Sequence, residues 1–558
     1  MSRRIVRRIA SVGGNAITLA MSMSMVLLAA CGNDRSIIEA GLDGPSAGSA
    51  TTVPSSAGTP STGTPSTGAA GPTGDASEPT GTTEGGDTIP DGGTISPDET
   101  TPSTGTMPPT TLPASAVPID EYPACPTAAL DAADGAVDVT YWHGLNADNE
   151  EALQFLTDRY NAEQDRVRVT LQNQGGYLDV IDKYYQSGGS ARPDIVMFPE
   201  YGFQQAIDSD TIVPAEACIR DAGFDSSVVQ PSALQAYSSG GIVWGMPFNV
   251  SNPILFYNKV MFEAAGLDPE QPPRSFDQLR SMSQQLVDSG AAGYGIALDT
   301  NIDSGGGWFI EQWFAGAGEL FVNNGNGREA PATEVLFDGE TGIELFTLLQ
   351  GLVDDGLAVN VGDNSSGTDN FLKMADDADP AAMTIGTSAA LGTVISVLGS
   401  GLVPGLTTDD VGVGPLPGFG TEATAIVGGA ANFVVAGKDP EVTAAAWDFL
   451  TYLITPEIQS EWAVRTGYLP LVDAAIDIDP LATTYAGDPR FRVAYEQLAN
   501  SPDDLAHAGP QIGPHRQIRD QTAGALATIF DGADVAAALA DAATTADALL
   551  RQYAAVTN

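Results

Sequence analysis

The sequence predicts an α/β protein large enough for two lobes, and three observations carry that reading. Short apolar runs with period-two alternation recur from Val137 onward, and the segments between them repeat their apolar residues at helical spacing. Strands that alternate with helices imply parallel sheet and right-handed crossovers. A chain of 558 residues with 43% hydrophobic content can bury a sizeable core, as several domains or one large bilobal body with extras.

Residues 1–30 read as a lipoprotein signal peptide. Arg3, Arg4, Arg7 and Arg8 form a basic start, Ile17 to Leu27 supply a broken apolar stretch, and Leu28-Ala29-Ala30-Cys31-Gly32 has the small residues and terminal cysteine of a bacterial lipobox. A lipid on Cys31 anchors the mature chain to the membrane without spanning it. Residues 31–118 then read as a disordered tether. Its Gly-Thr-Pro-Ser pieces (58–61, 63–66) hold too few large apolar residues to offset the entropy cost of folding.

The folded rhythm starts with a strand alternating at Val137, Val139 and Tyr141. A helix over 148–164 follows, with Leu153, Leu156 and Tyr160 on one face; further strands are predicted at 167–171 and 194–198. The stretch from Trp244 to Phe276 is the organising one. Pro247 and Pro253 bracket a polar link, Ile254 to Tyr257 form a buried strand, Asn258 caps a helix, and Gly266 stops it before Pro269, Pro272 and Pro273. Later strands fall at 383–385, 411–414 and 432–436, with a helix at 442–453 and an Ala-rich helix at 534–553. Cys125 and Cys218 remain after lipidation. An oxidising exterior lets them pair, with two separate thiols as the alternative.

Charge and motifs exclude several classes. A formal charge of −48 and pI near 4.1 argue against nucleic acid, whose phosphates need Lys and Arg to neutralise them. Gly386-Thr387-Ser388-Ala389-Ala390 misses the last glycine of a nucleophile elbow, and His143, His507 and His515 have no metal-ligand spacing. Asp299-x-Asn301-x-Asp303 begins like a calcium loop, but Ser304 and Ile310 stand where that loop needs Gly and Glu. No catalytic residue and no metal or cofactor site is therefore expected. In a chain this acidic, any pair of carboxylates could be picked as a glycosidase pair, so that signal is nearly empty.

Pro247-Phe248-Asn249-x-Ser251, Tyr257-Asn258-Lys259 and Gly266-Leu267-Asp268-Pro269-Glu270-Gln271-Pro272-Pro273 resemble the extracellular solute-binding proteins of ABC importers, and among them the glycerol-3-phosphate and glycerophosphodiester binders. The resemblance runs from about Val137 to the C-terminus. It implies a type II periplasmic-binding-protein fold with a ligand cleft between discontinuous lobes, 119–247 with 415–452 and 248–414 with 453–558. It also implies a monomer without cofactor that captures a small solute and passes it to permease subunits served by an ATPase.

Carried over position by position, the resemblance proposes a ligand set. Tyr177 supplies an aromatic, with a core aromatic as the plain alternative. Glu200, after a parallel strand, accepts from hydroxyls unless it is only a solvated loop acid. Ser251 and Thr387 supply hydroxyls or serve as turn and cap residues. Trp308 is retained from a family pair of tryptophans, Gly429 brings its backbone N–H to the ligand, and Tyr468 lies in Thr466-Gly467-Tyr468-Leu469-Pro470. Arg519 falls at the phosphate position with Arg516 adding positive charge, although a salt bridge explains either arginine without a ligand. The departures are the Gly305-Gly306-Gly307 run where the second tryptophan is missing, Thr387 for serine and Phe276 for tryptophan. They imply an anion end kept and a glycerol end opened for a larger ligand, such as a phosphodiester or oligosaccharide. A secreted carbohydrate-active enzyme and a ligand-sensing surface lipoprotein of the same fold are the competing functions.

Overall fold

The computed structural model describes residues 118–557 apart from Pro404; the expected signal peptide, the tether and Cys31 lie outside the described residues. The strands described are β1 (Val137–His143), β2 (Val167–Asn173), β3 (Ile195–Pro199), β4 (Ile212–Val213), β5 (Ser238–Ser239), β6 (Ile242–Val243), β7 (Met246–Ser251), β8 (Pro253–Asn258), β9 (Tyr294–Leu298), β10 (Ala358–Asn360), β11 (Ala381–Thr387), β12 (Val411–Pro415) and β13 (Gly428–Val435). One sheet has the order β2-β1-β3-β13-β4 with β7 also on β13, and the other has β10-β9-β11-β8-β12. The two-lobed α/β class is thus present as two separate sheets.

The expected parallel pairing holds only in part. β1 pairs parallel with β2 and β3, and β9 with β10 and β11. β13 runs antiparallel to β3, β4 and β7, and β8 runs antiparallel to β11 and β12. A local strand-helix-strand crossover enforces parallel direction. β8 and β13 enter their sheets from the other sheet, so that constraint does not act on them. The chain passes between the sheets at Asn252 and returns after Pro415 and before Gly428.

The link between Pro247 and Pro253 is itself a strand, β7, and every residue in it is buried. Proline is tolerated there because β7 pairs on one side only, and the register shifts between Ala430 and Ala431, opposite Pro247. Downstream, the local signals act as the sequence indicates. The Asn258 side chain accepts from Met261 N at 3.1 Å to start the helix Lys259–Ala265, and Gly266 ends it at φ 76°.

β8 shows how one strand serves two cores. Leu255 and Tyr257 join the cluster around Ile296, Phe314, Phe346 and Leu526, while Ile254 and Phe256 join the cluster around Phe198, Phe433, Trp447 and Trp462. The expected lobe boundary at 452/453 cuts between the helices Pro440–Leu453 and Pro456–Thr466. The second of these packs on the helix Ala147–Glu163 and buries Trp462 in the first cluster, which keeps it with the first sheet. Cys125 and Cys218 are both buried and joined by a disulfide, which ties the segment ahead of β1 to the helix Ala215–Ala222.

Candidate functional site

The site grows from the end of β3. Glu200 follows Pro199 directly, and because Pro199 sits opposite Ala430, the neighbouring Gly429 is brought to the Glu200 carboxylate. Gly429 N donates to Glu200 Oε2 at 3.2 Å. Gly429 has φ 105°, and a Cβ there would stand 1.9 Å from Asn249 O, so only glycine fits this approach.

Tyr177 is the first residue of the helix Tyr177–Gln186, placed by the Gly175-Gly176 turn, whose Gly176 N donates to Asp179 Oδ2 at 2.9 Å. The Tyr177 hydroxyl accepts from Asn249 Nδ2 and is hydrogen-bonded to Tyr468. Burial, with Tyr468 and Glu200 nearby, pushes its pKa well above the usual phenol value. Tyr468 is held from behind. Its ring stacks on Trp462 at 5.8 Å, and Trp462 stacks on Phe248 of β7 at 4.5 Å.

A buried charge cluster closes the other side. Arg519, on the helix His515–Phe530, donates from Nε to Glu311 Oε1 at 2.8 Å and from Nη2 to Glu311 Oε2 at 2.7 Å. The same Nη2 reaches Glu200 Oε1 at 3.0 Å, and His515 Nε2 lies 2.7 Å from Glu311 Oε1. Both Arg519 and Glu311 are only 2% exposed. Burial pushes the Glu311 carboxyl up, but Arg519 and His515 outweigh it and hold it at about 2. Burial also raises the Glu200 carboxyl, against the opposing pull of Arg519 and His515. Arg519 is therefore an ion-paired side chain. Arg516 is committed as well, to Asp303 at 3.0 and 3.2 Å, so the expected excess of positive charge is not present.

The remaining expected residues differ in what they do. Trp308 opens the helix Trp308–Gly316 with its ring against Gly428 and its indole N–H buried without a protein partner. Ser251 is buried at the end of β7 opposite Gly428. Thr387 uses its hydroxyl as a cap, accepting from Ala389 N at 3.3 Å, which is its plain structural role. The Gly305–Gly307 run is not an opened space. A Cβ on each glycine would fall 2.1, 2.3 and 2.1 Å from the carbonyl oxygens of Asp299, Thr300 and Ile302, and Gly307 also packs on Arg519 Cβ. Asp299 is the staple of that turn, accepting from Asn301 N, Ser304 Oγ and Gly305 N. A small cavity lined by Asp299, Phe309, Trp313 and Leu526 lies within the second core and includes none of the eight expected ligand residues.

The sequence reading missed Asn249, Glu311, His515 and Tyr237 as members of this constellation. Glu311 had a signal: it is the lone acid inside Trp308-Phe309-Ile310-Glu311-Gln312-Trp313-Phe314, all buried, and a buried acid requires a partner.

Comparison with known proteins places the chain in a family. Residues 156–491 match the family model described as bacterial extracellular solute-binding protein. The chain is 29% identical over 435 residues to the sn-glycerol-3-phosphate-binding periplasmic protein UgpB of Pectobacterium atrosepticum, covering 75% of this chain and 93% of that protein. Among solved structures it is similar to the cyclic alpha-maltosyl-1,6-maltose binding protein of Arthrobacter globiformis, with TM-score 0.62, 25% identity and coverage of 75% and 100%. It is also similar to UgpB of Mycobacterium tuberculosis in complex with glycerophosphocholine, with TM-score 0.61, 20% identity and coverage of 75% and 99%.

Proposed function

The chain belongs to the bacterial extracellular solute-binding proteins, and from that premise we propose that it captures a small polar solute between its two lobes and delivers it to the permease of an ABC importer. The solute is of the kind its relatives' names print, a glycerol phosphate, a glycerophosphodiester or a sugar. One observation supports this most directly. Elements from distant parts of the sequence converge a carboxylate, two phenol hydroxyls and a backbone N–H on one spot: Glu200, Tyr177, Tyr468 and Gly429. These groups hold hydroxyls by hydrogen bonds, and Trp308 offers an aromatic face beside them.

The reading has no bond-breaking step. Capture is coupled to closure of one lobe on the other, and the closed form is what a permease meets. The lobes are proposed as 119–247 with 415–452 and 248–414 with 453–558, adjusted by the helix Pro456–Thr466, which stays with the first. Lipid on Cys31 anchors the monomer to the outer face of the cell membrane.

Calorimetric titration with glycerol-3-phosphate, glycerophosphocholine and maltose tests the reading. Saturable binding of one of them, weakened about 10–100-fold in Glu200→Gln, is the expected result. No heat from any of the three would remove the proposal.

A further inference from the structure

We infer that Gln497 is a positioning residue for solute capture, a clasp whose single side-chain amide ties the two strand crossings between the sheets to one pivot. The inference rests on the solute-capture reading above and adds the residue that keeps its moving parts in register. The first crossing is Asn252, between β7 and β8, and the second starts at Leu416, directly after β12. Gln497 lies on the helix Val493–Ala499, is 1% exposed and reaches both crossings. Its Oε1 accepts from Leu416 N at 2.8 Å, while its Nε2 donates to Pro253 O at 2.9 Å and to Asn252 Oδ1 at 3.2 Å.

The position demands glutamine. One crossing presents a hydrogen donor and the other presents two acceptors, and a carboxamide answers both from one planar head. An ionised glutamate only accepts and a lysine only donates, so either leaves buried backbone groups unpaired. The same helix takes further hold of both crossings. Asn252 Nδ2 donates to Ala494 O at 2.9 Å, and Ser501 Oγ, just past the helix, donates to Ala425 O and accepts from Ala425 N, both at 2.8 Å. The helix is fixed in turn by Ala494 and Leu498, buried in the cluster around Phe198, Phe433 and Trp462.

Each crossing runs directly into the site. Asn249, whose side chain holds Tyr177, precedes Asn252 in β7. Gly429, whose N–H meets Glu200, follows Ala425 by way of Ile426, and Ile426 is itself held by Gln312 of the helix Trp308–Gly316 at 2.9 and 3.0 Å. A hinge needs only a few residues that turn. Two untied links would let the lobes slide and twist as well as close, whereas a shared pivot leaves closure as the main freedom. The fold then bears the ordering cost of the site before a solute arrives.

The test is calorimetric titration and stopped-flow kinetics of the full chain with glycerol-3-phosphate, glycerophosphocholine and maltose, on the wild type, Gln497→Leu and Asn258→Ala. The last of these removes a helix cap outside the site and serves as the control for lost stability. Whichever solute binds the wild type is expected to bind Gln497→Leu about tenfold more weakly, through faster dissociation. Asn258→Ala is expected to melt earlier with its affinity unchanged. A cooperatively melting Gln497→Leu with wild-type affinity overturns the inference and leaves solute capture standing, as does an equal loss of affinity in Asn258→Ala. Site-resolved hydrogen exchange on the wild type decides where Gln497→Leu does not fold. The Leu416 N–H is expected to exchange as slowly without solute as with it, because the clasp persists through opening. Fast exchange there in the free protein overturns the inference. Binding of none of the three solutes to the wild type removes the capture reading and this inference together.

Discussion

Single residues set both the chemistry and the tolerance of the site. Gly429 combines φ 105° with a carbonyl oxygen 1.9 Å from where a Cβ would stand. Gly429→Ala is expected to cost about 2 kcal/mol or more, read by urea unfolding, and to weaken solute binding further through the displaced Glu200. His143, at the end of β1, is buried with Leu145 N on its Nδ1, and burial lowers its pKa to about 4 despite Glu150. Between about pH 4 and 6.5 the unfolded chain therefore binds a proton that the folded one refuses. Its contribution makes stability rise with pH across that window, by about 3 kcal/mol, and fall on acidification. Urea titrations at pH 4.5 and 7 should show that slope, and His143→Gln should flatten it. Of the proposed ligand residues, Glu200, Tyr177, Gly429 and Tyr468 were nameable from family motifs, and they meet in space. Glu311 was marked in the sequence only as a lone acid in an apolar run, and its partner appears only once Arg519, 208 residues away, is placed beside it.

At the scale of elements, local signals and packing divide the work. The helix Lys259–Ala265 is only two turns long and depends on its ends. Asn258→Ala removes the cap on Met261 N and is expected to cost about 1 kcal/mol, measured by thermal unfolding. The helix Pro456–Thr466 depends on burial instead. Trp462 is fully buried between Phe248 and Tyr468, so Trp462→Ala should cost about 3–5 kcal/mol. It should also weaken solute binding, because Tyr468 loses the ring that orients it. Strand existence was legible from periodicity, but strand direction was not, and β7 was hidden by Pro247, which a one-sided strand accommodates.

At the scale of the molecule, two devices hold distant segments together. The Cys125–Cys218 disulfide closes a loop with a sequence separation of 93, so Cys218→Ser should destabilise the protein by about 4–5 kcal/mol, seen as a lower unfolding midpoint. Arg328 is buried without a carboxylate partner among the described residues. It donates to the carbonyls of Gln235 and Ala236, ahead of the β5–β6 hairpin, and of Ser238 in β5, and to those of Ala508 and Gly509 ahead of the helix His515–Phe530. Gln511 reinforces the seam through Gln204 and Ser239 at 2.6 and 2.7 Å. Arg328→Ala strands those carbonyls and should favour a more open molecule, read as a larger radius of gyration by small-angle scattering.

The sequence by itself determined the α/β rhythm, most helix ends and the family to which the chain belongs. The rhythm and the helix ends rest on interactions within a few residues, such as side-chain caps, glycine conformations and the period of apolar residues, and the family rests on the resemblance of its motifs. Only the tertiary structure decided the direction of β8 and β13, the use of the Gly305–Gly307 run for close packing and the partner of Arg519. Each of these joins segments far apart in the chain, and a guanidinium carries the same charge in the sequence whether a solute or a buried glutamate receives it.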